Sequence, residues 1–237
     1  MKILLDLAVL AIIALSVWSG YKRGVVMGIG GIIVLIISLV VGSAVSSAYS
    51  SEVVSAMRPF ASGYVDKLIS DEIYAAGGEE SSLSTSDMLA QYPDLGVSAS
   101  KKAMLELGLH EDVAQQLALE SVDYATENSV ALGEAASEVL CRNVAYAAGF
   151  FLFFLLCAIV LTVLGNITNL SFRIPYMGSG NEIGGAIMGL IEGLMLCFIF
   201  AWALRFAGLL FPDGMLENTW LLSVLMDHNI LGSLLGL

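Results

Sequence analysis

The stretch ILLDLAVLAIIALSVWS, Ile3–Ser19, is followed by Gly20-Tyr21-Lys22-Arg23-Gly24 and then by VVMGIGGIIVLIISLVVGSAVSS, Val25–Ser47. Each apolar run is long enough to cross a hydrocarbon core of ~30 Å, which takes roughly 17–25 helical residues. So short a connection leaves room only for a tight turn, and the two runs therefore read as a membrane hairpin. The two cations stand in a short loop beside two spans, where the positive-inside rule acts most strongly. Lys22 and Arg23 are accordingly assigned as an inner-side anchor. Asp6 interrupts the first run and no small-x-small cleavage site follows it, so this segment reads as a retained span rather than a signal peptide.

The composition carries the same message through the whole chain. Hydrophobic residues make up 57% and charged residues 14%, against about 25% charged in soluble domains. The mean hydropathy is +0.84. The net charge of −12 is concentrated: between Ser50 and Cys141 stand 16 acidic residues against four basic ones, Arg58, Lys67, Lys101 and Lys102. The apolar remainder is nearly neutral. One acidic, water-facing segment thus interrupts a hydrophobic protein, and nothing in it could neutralise phosphates, which argues against nucleic acid as a partner. Cys141, Cys157 and Cys197 form no CxxC pair, and two of them lie in apolar spans, so they read as free thiols.

These features predict an all-α integral membrane protein with four transmembrane helices. Residues 1–49 form a hairpin with spans at about 3–19 and 25–49. Residues 50–143 form an acidic, extracytoplasmic helical cap. Residues 144–211 form a second hairpin, with spans at about 144–164 and 184–210. The broken apolar stretch 212–237, interrupted by Asp227, His228 and Asn229, reads as an interfacial or re-entrant helix. Within the cap, Ser81–Ser86 and Tyr92-Pro93-Asp94 are turn signals. Val53, Met57, Phe60, Tyr64, Leu68 and Tyr74 recur at near-helical spacing, as do Val113, Leu117, Leu119 and Val122, which predicts short amphipathic helices. From about Ser129 a helical pattern runs into the third span. Placing Lys22, Arg23 and Arg173 inside puts the acidic segment and both termini outside, although Lys2, Arg58 and Arg142 favour the reverse.

Two patterns inside the spans carry the candidate sites. Gly185, Gly189 and Gly193 fall at i+4 spacing on one face of the fourth span, and the second span opens with Gly24, Gly28 and Gly31. Such stripes allow close approach of helix backbones, either within one bundle or between copies. Asp6, Glu192 and Arg205 are charges within predicted spans, where a charge is costly unless paired or facing a cavity. They suggest an Asp6–Arg205 pair and a looser contact between Glu192 and Arg23. They read as inter-helix clamps, with snorkelling open to Arg205, or as a proton or ion path through Glu192.

Chemistry-bearing motifs are missing. His110 and His228 lack metal-ligand spacing, and no Gly-x-Ser-x-Gly, Walker-type or His-Glu-x-x-His run occurs. No catalytic, cofactor-binding or metal residue is therefore assigned, and the chain is not expected to be an enzyme. Gly178-Ser179-Gly180-Asn181 reads as a flexible turn opening the fourth helix. The Asn166-Ile167-Thr168 sequon is expected on the inner side and is discounted.

The aspartate opening the first span, followed by Gly20-Tyr21-Lys22-Arg23-Gly24, resembles the colicin V production protein family (CvpA). So does the run Asn181-Glu182-Ile183-Gly184-Gly185-Ala186-Ile187-Met188-Gly189-Leu190-Ile191-Glu192-Gly193, and so does Asn218-Thr219-Trp220-Leu221-Leu222 near the end. The similarity covers about residues 3–49 and 129–230. The outer segment is longer than in compact members, and Glu192 stands where the family more often has a basic or neutral residue. The resemblance implies a multi-pass protein of the bacterial cell membrane, tied to toxin production or secretion and envelope maintenance, with no defined catalytic activity. The expected role is a scaffold or accessory that contacts the bilayer, other membrane or envelope proteins and copies of itself. The alternative is a small transporter or channel subunit using Glu192 and the Asp6/Arg205 pair.

Overall fold

The computed structural model describes residues 2–77, 93–167, 178–206 and 219–227. Among the described residues every regular element is a helix: α1 (Lys2–Arg23), α2 (Val25–Gly77), α3 (Pro93–Glu106), α4 (Glu111–Asn128), α5 (Leu132–Ile167), α6 (Gly178–Leu204) and α7 (Leu221–Asp227). Four of them contain segments long and apolar enough to cross a membrane: Ile3–Arg23, Val25–Pro59, Leu132–Gly165 and Ser179–Leu204. The chain is a multi-pass membrane protein.

Several boundaries differ from the sequence reading. The second span does not stop near Tyr49: α2 continues to Gly77 through Pro59, giving a helix of roughly 80 Å at 1.5 Å per residue. The third span is likewise the second part of a 36-residue helix, about 54 Å long, in line with the helical pattern from Ser129. Both exceed what a bilayer core requires, so hydropathy marks only part of each. The fourth helix starts at Gly178, ahead of the expected 184, and the Gly178–Asn181 stretch forms its first turn instead of a flexible one. The Ser81–Ser86 loop, Thr168, Arg173, residues 207–218 and His228 lie outside the described residues.

The chain divides into two compact units, residues 1–46, 149–204 and 213–237 in the first, and residues 47–148 and 205–212 in the second. In the first unit α1 packs along α6, and α7 packs on both. The α1–α6 seam is built on glycine. A Cβ on Gly189 would lie 3.1 Å from the Gly20 Cα, and one on Gly193 would lie 3.2 Å from the Ile13 Cα. The two backbones touch, which lipid-facing helices achieve only through small residues. Elsewhere Gly42 abuts the Phe154 backbone of α5, and Phe150 meets Trp202 edge to face at 4.9 Å. The outward faces are apolar and exposed, as at Leu10, Ile33, Leu152 and Ile187, which suits contact with hydrocarbon.

The second unit has a core of its own. Val65, Ile69 and Ile73 of α2 pack with Met104 of α3, Leu117 of α4 and Val139 of α5. The sequence stripe chose a different face of α2: Val53, Tyr64 and Tyr74 are exposed. The β-branched residues one position away recur at i+4 and carry the burial instead. Leu119 of the other stripe is also exposed, whereas Val113 and Leu117 are buried. At the surface Arg58 pairs with Glu134 and Glu138, Lys101 with Glu111, Lys102 with Glu72, and Arg142 with Glu120. Each exposed pair contributes little, roughly 0–1 kcal/mol. Their larger consequence is that most cations are consumed, leaving carboxylates such as Asp71, Glu106, Asp123 and Glu127 to dominate the exposed surface.

Candidate functional site

The turn between α1 and α2 is locked onto the start of α6. Gly24 has φ +80°, a left-handed conformation that costs any residue with a Cβ roughly 1–2 kcal/mol. A Cβ there would also strike the Asn181 side chain. The freed amide of Val25, at the first turn of α2, donates to the Asn181 Oδ1 at 3.0 Å. Tyr21 donates its hydroxyl to the Glu182 carboxylate at 2.8 Å. Lys22 lies over the Trp18 ring, 4.0 Å from its centroid. Gly20-Tyr21-Lys22-Arg23-Gly24 and the Asn181–Gly193 run, more than 150 residues apart in sequence, are thus two halves of one joint.

Beside this joint, α2, α5 and α6 enclose a cavity of about 580 Å³. Its walls are apolar except for Arg23, Thr162 and Glu192. Glu192 lies against Gly31, whose absent side chain leaves the space that the carboxylate occupies: a Cβ there would be 2.9 Å from Oε2. Arg23 and Glu192 line the same cavity. The space beside Gly28 of α2 is filled by Met188 of α6. The six assigned glycines therefore meet partners within this chain, and Gly185, Gly189 and Gly193 all face α1.

The expected Asp6–Arg205 pair is not formed. The Asp6 carboxylate accepts the backbone amides of Trp220, Leu221 and Leu222 at 3.1, 3.1 and 3.2 Å. It caps the first turn of α7, where amides lack partners within the helix and the dipole favours an anion. Arg205 lies in the second unit, past the end of α6 at Leu204, and pairs with Asp112 at 2.6 Å. It is thus outside the span to which hydropathy assigned it. Asp112 also accepts a hydrogen bond from the His110 ring at 2.5 Å and one from the Val113 amide at 2.9 Å. Burial raises the Asp112 carboxyl, but the His110 hydrogen bond and the Arg205 charge outweigh it and hold it below the ordinary carboxylate value. The His110 amide donates to the Arg205 carbonyl at 3.3 Å.

The family model described as Colicin V production protein matches residues 110–230. This is just over half of the chain. The chain belongs to the colicin V production protein family. Membership ties it to toxin production, as the resemblance implied. The match spans α4 to α7, and so takes in the Asn181 half of the joint, the α7 segment capped by Asp6, and Asp112 with Arg205. No curated protein and no solved structure matches the chain.

Sequence reasoning missed three contacts in this family member: Asn181 as the acceptor for the turn, Asp6 as a cap, and the His110–Asp112–Arg205 cluster. Asp112 in the first turn of α4 did carry a helix-start signal. Nothing local pointed to Arg205. The three cysteines are free thiols, as expected. Among the described residues no cluster of histidine, cysteine and carboxylate could hold a metal ion.

Proposed function

We propose that this chain is a non-enzymatic scaffold of the bacterial cell membrane, serving toxin production or secretion and envelope maintenance through an acidic, extracytoplasmic docking unit. The observation that carries the reading is the second unit itself. It has an independent core and ion pairs that consume most of its cations, which leaves an exposed acidic surface. A surface of one sign steers partners of the other sign and speeds their encounter. The glycine faces, by contrast, are spent on packing within the chain, so contacts with envelope proteins or with another copy fall to the acidic unit. The short loop bearing Lys22 and Arg23 favours the cytoplasmic side for the α1–α2 turn, and hence the exterior for the acidic unit.

The test is site-specific photo-cross-linking in intact cells from positions beside Asp123 and Glu127. A discrete product expected in the native chain should disappear in an Asp123→Lys, Glu127→Lys double variant. A reporter inserted in residues 81–86 should be active only outside the cytoplasm. Cross-linking insensitive to the charge reversal, or a cytoplasmic reporter, defeats the reading.

The transporter alternative loses its Asp6/Arg205 element but keeps one support, Glu192 lining a cavity with Arg23. Glu192-dependent ion flux in liposomes containing the purified protein would establish it in place of the scaffold.

A further inference from the structure

We propose that the cavity between α2, α5 and α6 binds a neutral lipid whose polar head is a hydroxyl. Its volume of about 580 Å³ falls within the roughly 300–1,000 Å³ of small-ligand sites, which are mostly apolar with a few placed polar groups. Val34, Leu155, Ile159 and Leu196 line it, and all belong to membrane-spanning segments. Leu155, Ile159 and Val163, which also line it, are 45%, 54% and 49% exposed. The mouth therefore faces the hydrocarbon side of the bundle, and the occupant arrives from the bilayer. Gly30, another lining residue, has nothing within 4 Å of where its Cβ would be, so the wall is hollow there.

The depth of the polar groups selects the head. Arg23 ends α1 at the turn and is exposed, so water and lipid phosphates reach it at headgroup level. Glu192 sits against Gly31, seven residues along α2 from Gly24, or about 10 Å deeper by helical rise. Thr162 is the other polar lining residue. Gly42 abuts Phe154 and Ser46 abuts Gly149, so α2 and α5 run antiparallel. Thr162, eight residues past Phe154, is then level with about Val34 of α2, within one turn of Gly31. Glu192 and Thr162 thus form one polar patch well below the headgroups. A phospholipid keeps its charges at the surface, and an acyl chain alone would leave Glu192 facing oil, a costly arrangement. A head that descends this far is uncharged, and it must donate to a carboxylate. A ketone or ester only accepts, whereas a hydroxyl donates to Glu192 and still accepts from Thr162. Bonds from O–H to a carboxylate are among the stronger hydrogen bonds. The lipid body then lies along the apolar wall and leaves through the mouth. The proposal does not depend on the scaffold reading, since a chain that failed to cross-link through its acidic unit would still hold lipid here.

The experiment is photolabelling of the full purified chain in phosphatidylcholine nanodiscs, with a farnesol analogue that keeps its hydroxyl and carries a diazirine in its tail. Peptides containing Ile159 or Leu196 should be labelled. Unlabelled farnesol should compete at about ten-fold lower concentration than its methyl ether, the ratio expected from one charge-assisted hydrogen bond. Competition by dioleoylglycerol as strong as that of farnesol supports the hydroxyl and extends the site to glycerolipid alcohols. Its failure to compete, with farnesol still ahead of the ether, supports the hydroxyl and restricts the body to a single chain. Glu192→Leu should bring alcohol and ether together, and Thr162→Val should narrow the gap between them. Ala158→Phe, which fills the cavity without touching either polar group, should abolish labelling. The comparison of alcohol with ether uses the native chain, so it decides the matter even where a substitution disturbs folding. Equal competition by the two in the native chain shows a cavity that takes any hydrocarbon and overturns the proposal. A gap that survives Glu192→Leu, or labelling spread over all outward faces, overturns it as well.

Discussion

Asp6 accepts the amide of Leu221 at 3.1 Å, joining the first turn of α1 to the first turn of α7 across more than 200 residues. With Trp220 and Leu222 as further donors, one carboxylate satisfies three amides that lack partners within the helix. The aspartate at the opening of the first span thus holds the start of α7.

Asp6→Ala should release α7. Loss of an N-terminal cap costs about 0.5–2 kcal/mol, and the lost charge–dipole attraction adds to it. A cysteine placed at Ser223 should react faster with a water-soluble maleimide in Asp6→Ala than in the native background, with Asp6→Asn between them. Equal rates in all three would show that α7 is held by packing alone.

Gly189→Val should open the α1–α6 seam. Its side chain would meet the Ser16 carbonyl and the Gly20 Cα, which are backbone atoms without freedom to yield. Overpacking of this kind costs about 1–3 kcal/mol, and the loss should appear as a lower midpoint in detergent unfolding. Gly63→Ala is the matching control. Gly63 is exposed within α2 with nothing near its missing Cβ, so alanine should stabilise by about 0.5–1 kcal/mol.

Gly24→Ala should be destabilising for a different reason. The residue would have to hold φ near +80° at a cost of roughly 1–2 kcal/mol while displacing Asn181. Asn181→Leu should weaken the same joint by removing the acceptor of the Val25 amide. A double variant should lose less than the sum of the two, because both changes act on one contact. Additive losses would place them in independent interactions.

Acid should loosen the second unit through Asp112. Its folded value lies below the ordinary 3.8, so the stability it contributes is fully present above the unfolded value and is lost as pH falls through the folded one. Amide exchange in α4 should accelerate below about pH 4 in the native chain. Asp112→Asn should show faster exchange already at pH 7, because Arg205, 2% exposed, loses its anionic partner. It should also have a shallower acid dependence. An unchanged acid profile in that variant would assign the effect to other carboxylates.

The existence of four spans was legible because crossing a bilayer is a local property: each run of about 20 residues must be apolar by itself. The glycine stripes were legible for the same reason, since i+4 spacing fixes a face without reference to any partner. The ends of the helices were not. α2 runs on to Gly77 because its later turns are buried by α3, α4 and α5, and no single-segment hydropathy contains that information. The face of α2 that enters the core was misread between Tyr64 and Val65, where large aromatic residues stand beside smaller β-branched ones and periodicity alone does not rank them.

Sequence by itself determined that this is an all-helical membrane protein with an acidic insertion, a positively charged hairpin turn and the motifs of its family. Hydropathy, charge and short-range spacing are additive along the chain and need no coordinates. Only the tertiary structure decided which charges meet. Asp6 and Arg205 looked like natural partners by sign and by their assignment to spans. Their distances depend on where helices end and how they pack, and each found its counter-group elsewhere, in the amides of α7 and in Asp112.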